Sequence, residues 1–298
     1  MKKSLLVTLA LIILAALAVP ACVPQGPKAQ RPKGYLFIIG GGERDAPLMK
    51  RFIQIAEAHA TGKIVIFTMA SSVPDEVGPE LLTEFKGNGA KSTAYYNLSR
   101  DQAMQPGSDQ ILDGAGGIWF SGGDQALLTA AIVGTPVHKR MLEMYDEGAI
   151  IGGTSAGAAV MSEFMITGNE RKTKGEEGTW DVILADDVLH SEGFGFVKKA
   201  VIDQHFVTRR RHNRLIAVVL QYPTLVGVVI EESTAVLVRP DGRYEVLGEG
   251  QVIVYDARKA RTFRSPDGHL GGHGLTMQVL LPGDVYDLDA GRAVEPSK

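Results

Sequence analysis

Residues 150–161 read Ile150-Ile151-Gly152-Gly153-Thr154-Ser155-Ala156-Gly157-Ala158-Ala159-Val160-Met161. The isoleucines suit a strand buried on both faces, and the small residues after Ser155 suit a helix packed tightly against it. Between the two lies Gly153-Thr154-Ser155-Ala156-Gly157, a G-x-S-x-G match in which a serine is held on a sharp turn from strand to helix. Glycine is needed on either side because no Cβ fits where strand and helix pack so closely. The next N–H along, from Ala156, is placed to donate to a developing oxyanion. Glycine and serine are common in loops, so the match gains its weight from the strand before it and the helix after it.

Upstream, the apolar run Tyr35–Ile39 stops at Gly40-Gly41-Gly42, and Pro47 opens a helical pattern carried by Met49, Phe52, Ile53 and Ala56. Strands follow at 63–69, 92–96 and 117–121, the last breaking at Gly122-Gly123-Asp124. Leu81, Leu82 and Phe85 mark a short helix, Ile111-Leu112 ends another, and two more span Gln125–Ile132 and residues 137–147. Strand and helix alternating with short loops predict an α/β fold with an open, mostly parallel sheet flanked by helices. Past residue 225 the pattern changes to short strands at Val226–Ile230, Thr234–Val238, 244–247 and 251–255, with Pro240-Asp241-Gly242 as a turn. These predict antiparallel strands added to the same domain. No repeat and no linker follows residue 34, so 34–298 is read as one domain.

The chain has 298 residues, 45% hydrophobic and 22% charged, which excludes a disordered chain, a collagen-like rod and a coiled coil. A formal net charge of −3 excludes a general nucleic-acid binder, which needs a basic surface to neutralise phosphates. The one cysteine, Cys22, allows no intramolecular disulfide. Lys2 and Lys3 precede a predominantly apolar run at 5–19. That run is short of the roughly 20 residues of a membrane span and fits a signal-peptide core. Val19-Pro20-Ala21-Cys22 resembles a bacterial lipobox. The resemblance implies a leader at 1–21, acylation of the Cys22 thiol and a cell-envelope location with membrane contact only through the lipid; an ordinary secretory leader is the alternative. Residues 22–33, with Pro24, Pro27 and Pro32, read as an extended tether.

A serine nucleophile needs a base, and seven histidines are available. His59 and His138 fall on helical stretches and read as surface residues. His269 and His273 flank glycines in a late loop without a third ligand nearby. His205 directly follows the apolar strand at 200–202 in Ile202-Asp203-Gln204-His205-Phe206, and strand C-termini are where α/β enzymes gather catalytic groups. Gly40-Gly41-Gly42-Glu43 invites a dinucleotide reading, but no G-x-G-x-x-G is present.

Three separated motifs in order carry a family resemblance. Phe120-Ser121-Gly122-Gly123-Asp124-Gln125, then Gly153-Thr154-Ser155-Ala156-Gly157-Ala158, then Asp203-Gln204-His205-Phe206 with Arg209, Arg211 and Arg214 resemble the cyanophycinases. These are serine peptidases of the aspartyl dipeptidase group S51, with a fold similar to class I glutamine amidotransferases. The resemblance runs from about Gly34 onward. It implies Ser155 as nucleophile, His205 as general base, and Ala156, Gly122 and Gly123 as oxyanion donors. It also implies a substrate pocket lined by Gln125, Asp203, Gln204, Arg209, Arg211 and Arg214. The arginine run could instead be a solvated helix face. A glutamate between serine and histidine is expected to complete the triad. Glu170, in Ile166-Thr167-Gly168-Asn169-Glu170, is the best match, with Glu176 and Glu177 as competitors.

The implied substrate is cyanophycin, a poly-aspartate backbone with arginine joined to each side chain, cut to β-Asp-Arg dipeptides through an acyl-enzyme on Ser155. Neither metal nor organic cofactor is implied. Arginine forks suit its carboxylates, while Glu176, Glu177, Asp181, Asp186 and Asp187 are candidate partners for its guanidinium groups. Two rival readings stand beside this one: a peptidase for other aspartyl or isoaspartyl peptides, and a lipoprotein that binds peptides without cutting them. Ser155 and His205 argue against the second. An amidotransferase would want cysteine at the elbow. Whether the chain pairs into a homodimer is left open by the sequence.

Overall fold

In the computed structural model, which describes residues 31–171 and 182–295, the apolar runs form the strands of one large sheet. The first half of the chain alternates as expected: β1 (Tyr35–Ile39), α1 (Ala46–Glu57), β2 (Lys63–Phe67), α2 (Pro74–Gly87), β3 (Thr93–Tyr96), α3 (Arg100–Ala103), β4 (Ala115–Phe120), α4 (Gln125–Ile132), α5 (Pro136–Glu147), β5 (Ile150–Thr154) and α6 (Ala156–Ala159). The helix expected to end at Leu112 is instead α3 plus a 3₁₀ turn at Ser108–Leu112. Pro106 and a left-handed Gly107, at φ 82°, break it between them.

The second half contributes β6 (Phe164–Glu170), β7 (Val188–Glu192), β8 (Ala200–Gln204), α7 (His212–Gln221), β9 (Val226–Ile230), β10 (Thr234–Val238), β11 (Arg243–Gly248), β12 (Val252–Asp256), β13 (Arg261–Arg264), β14 (Leu270–His273), β15 (Thr276–Leu280), β16 (Val285–Asp287) and β17 (Arg292–Val294). The large sheet has the order β17-β16-β11-β10-β1-β5-β4-β2-β3. Its β1, β5, β4, β2 and β3 are mutually parallel, and β10, β11, β16 and β17 extend it antiparallel. A second sheet, β15-β12-β9-β8, holds the strand that leads to His205. That strand is therefore not an extra member of the parallel sheet. β8 and β9 run parallel, with Gln204 opposite Ile230, and residues 231–233 carry the chain from β9 across to β10 in the large sheet.

Two apolar layers hold the large sheet. On one face α1 buries Leu48, Met49, Phe52, Ile53 and Ala56. Asp45 starts that helix by accepting the Leu48 N–H at 2.8 Å. Phe52 meets Trp119 edge to face at 5.0 Å, and full burial of such a ring is worth about 2–3 kcal/mol. On the other face Val65, Phe67, Ile118, Phe120 and Ile151 pack against α4, α5 and α6. The second sheet has its own layer, in which Val201, Val229, Ile253 and Tyr255 lie under Leu215, Val218 and Val219 of α7. Among the described residues no helix is long and apolar enough to cross a membrane. Cys22, the leader and most of the tether lie outside the described residues, as do Glu176, Glu177 and Asp181.

Candidate active site

β5 runs between β1 and β4, with Thr154 opposite Ile39 and Gly153 opposite Phe120. The loops after β1 and β4 therefore flank Ser155. The serine sits at φ 53°, ψ −109°, a conformation that a residue with a Cβ holds only when its surroundings impose it. Its N–H donates to the Ile39 carbonyl at 3.0 Å. The flanking glycines are forced by packing: a Cβ on Gly157 would lie 2.3 Å from the Phe120 carbonyl oxygen, and one on Gly153 2.6 Å from that of Gly157.

His205 stands at the end of β8 with φ 50°, its N–H on the Gly40 carbonyl at 3.2 Å. Its Nε2 lies 2.9 Å from Ser155 Oγ and its Nδ1 2.5 Å from Glu232 Oε1. A carboxylate at Nδ1 assigns the proton to that nitrogen, leaving Nε2 to accept from the serine hydroxyl. Burial pushes the imidazole below its ordinary pKa of 6.5, and Arg209 and Arg211 push the same way. The hydrogen bond and charge of Glu232 oppose them. The ring is neutral near pH 7, the form a general base requires. Gly41 explains the triple glycine: at φ 118°, a Cβ there would lie 2.2 Å from His205 Cε1.

Glu232 holds the place on His205 Nδ1 expected of Glu170. Glu170 ends β6, its backbone opposite Val188 of β7. Glu232 follows the histidine in the chain, so an expectation confined to the interval between serine and histidine could not reach it. The available signal was the acidic pair Glu231-Glu232 at the end of an apolar strand, together with the glycines that make room for it. Ala156 opens α6, and a Cβ on Gly122 would lie 3.5 Å from that of Ser155. The Ser121 and Asp124 N–H groups donate to Phe67 and Ala70, whereas among the described residues those of Gly122 and Gly123 have no partner.

The sequence model of peptidase family S51 matches residues 36–245, a span that includes Ser155, His205 and Glu232. The chain belongs to peptidase family S51. A cyanophycinase of Nostoc sp. is 30% identical over 270 residues, covering 87% of each chain. A cyanophycinase of Synechococcus elongatus is 31% identical over 265 residues, covering 86% of this chain and 80% of its own. The fold is similar to that of a peptidase from an acI-B1 Actinobacterium, with a TM-score of 0.66 at 21% identity over 87% of this chain and 98% of the other. The protein is a serine-type peptidase.

The expected pocket residues of this S51 chain divide sharply. Asp203 and Arg214, each 2% exposed, are buried and paired with each other. Arg214 Nε donates to Asp203 Oδ2 at 3.0 Å, and Nη2 reaches Oδ1, a two-pronged ion pair behind the surface. Gln125 is buried too, its amide donating to the Ile166 carbonyl at 3.0 Å. Gln204 offers its side-chain and backbone oxygens to Arg211 Nη1 at 2.8 and 2.9 Å. Arg209 is exposed and close enough for its charge to act on His205. Arg209 and Arg211 do not lie on a solvated helix face. They belong to the turn after His205, closed by Arg209 N–H to the His205 carbonyl at 3.0 Å and Arg211 N–H to that of Phe206 at 2.9 Å.

Asp186 pairs with Arg264 on the surface, and Asp187 is buried. His138 does not stand free on the surface: its Nε2 lies 3.0 Å from the Phe194 carbonyl. Among the described residues no group of three His, Cys, Asp or Glu could hold a metal ion.

Proposed function

We propose that this S51 peptidase hydrolyses cyanophycin to β-Asp-Arg dipeptides through an acyl-enzyme on Ser155. The observation that carries the reading is the chain of contacts Ser155 Oγ, His205 and Glu232 at 2.9 and 2.5 Å, built on a serine turned toward the base. In the first step the Ser155 hydroxyl gives its proton to His205 Nε2 as Oγ bonds to the scissile carbonyl carbon. Glu232 stabilises the imidazolium so formed, and the N–H groups of Ala156, Gly122 and Gly123 meet the oxyanion. The C–N bond then breaks, and His205 passes the proton to the leaving amine. Water, deprotonated by His205, cleaves the ester and restores Ser155. The curated relatives named cyanophycinase support the substrate, and so does Arg209, an exposed guanidinium beside the base and suited to a carboxylate.

Purified protein without residues 1–21 should clear a cyanophycin plate and release β-Asp-Arg. Ser155→Ala should lower the rate by a factor on the order of 10⁶, with an unchanged circular dichroism spectrum. A variant within tenfold of wild type removes Ser155 from the mechanism. Cleavage of Asp-X dipeptides but not of cyanophycin moves the substrate to other aspartyl peptides. We also propose export and lipid anchoring, supported by Lys2-Lys3, the apolar run at 5–19 and the Cys22 context. Cys22→Ser should shift the protein from the membrane to the soluble fraction, and an unlipidated wild type would refute the anchor.

A further inference from the structure

β8 and β9 run parallel with Gln204 opposite Ile230, so the two strands end together. His205, Phe206 and Val207 leave one end, and Glu231 and Glu232 leave the other. Glu232 holds the His205 ring. Glu231 is 7% exposed and accepts the Val207 N–H on both carboxylate oxygens, at 3.0 and 3.3 Å. Val207 is itself 46% exposed, so side-chain packing does little to hold it. A buried carboxylate that holds a single backbone amide is costly unless holding that amide matters. What it holds is the backbone two residues past a histidine at φ 50°, a left-handed residue that its surroundings must fix in place.

We infer that Glu231 is a positioning residue for the hydrolysis, clamping the main chain beyond His205 while its neighbour Glu232 orients the ring. The inference rests on the catalytic roles proposed for Ser155 and His205. The clamp is strongest when Glu231 is ionised, because a charged acceptor holds an N–H more tightly than a neutral one. Burial raises the Glu231 carboxyl above its ordinary pKa of 4.5; the Val207 N–H opposes this, and Glu232 and Asp203 reinforce it. Arg214 on α7 is engaged with Asp203. His205, Arg209, Arg210 and Arg211 are the other charged or titratable groups of the turn, and Glu249, on the segment packed beside Ser233, is exposed. Acid should therefore loosen the clamp at a higher pH than an ordinary glutamate would.

The test compares wild type, Glu231→Gln and Glu231→Leu in two assays across about pH 5 to 9. One is the rate of Ser155 labelling by a fluorophosphonate, and the other is kcat/KM on cyanophycin. Glu231→Gln, which keeps a neutral acceptor, should label about tenfold more slowly near pH 8, with little change in KM or melting temperature. The ratio of wild type to Glu231→Gln should shrink toward one as acid protonates Glu231, because wild type then also carries a neutral acceptor. Glu231→Leu should be slower than Glu231→Gln throughout; if it fails to fold, Glu231→Gln decides alone. Equal labelling of wild type and Glu231→Gln, or a deficit that does not vary with pH, overturns the inference while leaving the Ser155 mechanism standing. Wild type that does not label at all overturns that mechanism, and the inference with it.

Discussion

Glu232→Gln keeps the side-chain length and an acceptor oxygen for His205 Nδ1, but removes the negative charge 2.5 Å from it. In the resting enzyme little is lost, since an amide oxygen still accepts the Nδ1 proton and keeps the tautomer. The loss falls in the transition state, where His205 becomes an imidazolium facing a dipole in place of a carboxylate. Two unit charges about 4 Å apart at an effective dielectric near 20 interact by about 4 kcal/mol. The Glu232 side chain is 37% exposed, and solvent screening brings this to roughly 2–3 kcal/mol. A fall in kcat/KM of about 30- to 150-fold follows, short of the roughly 10⁴ that accompanies loss of a fully buried triad carboxylate.

The pH profile gives an independent sign. Glu232 raises the His205 pKa against burial and the two arginines. Without it, the imidazole stays neutral to lower pH, and the acid limb of the residual activity should move down. Cyanophycin turnover and fluorophosphonate labelling measure both effects. A Glu232→Gln enzyme within about threefold of wild type, or a larger loss from Glu170→Gln, would refute the assignment.

Two further outcomes separate structure from substrate contact along the arginine run. Arg214→Ala leaves Asp203 charged and unpaired in the core, which should cost about 3–5 kcal/mol and lower Tm by roughly 6–20 °C; Asp203→Leu combined with Arg214→Met should recover most of that. Activity lost at an unchanged Tm would return both residues to the pocket. Arg209→Ala should leave Tm unchanged and weaken cyanophycin cleavage about tenfold while sparing a small neutral ester. Because the Arg209 charge holds the His205 pKa down, the acid limb of this variant should move to higher pH. Parallel losses on ester and polymer would remove Arg209 from substrate binding.

The parts of this protein legible in the sequence are those set by neighbours in the chain. Ile150-Ile151 with the glycines around Ser155 announces a buried strand and a tight turn into a helix, because side-chain pattern and steric exclusion act within a few residues. The alternation of Tyr35–Ile39, α1 and their successors declares a parallel sheet for the same reason, and His205 is marked by the apolar strand before it. Glu232 is different. It lies 27 residues beyond His205, and nothing local distinguishes it from Glu231 beside it. Only the pairing of β8 with β9, with Gln204 opposite Ile230, brings the two strand ends together and sets its carboxylate on the ring. The arginines follow the same division: their spacing is written in the chain, but a place on the buried face of α7 turns Arg214 inward onto Asp203, whereas the turn after His205 leaves Arg209 in solvent. Strand register and depth of burial are properties of the packed sheets, and no run of consecutive residues encodes them.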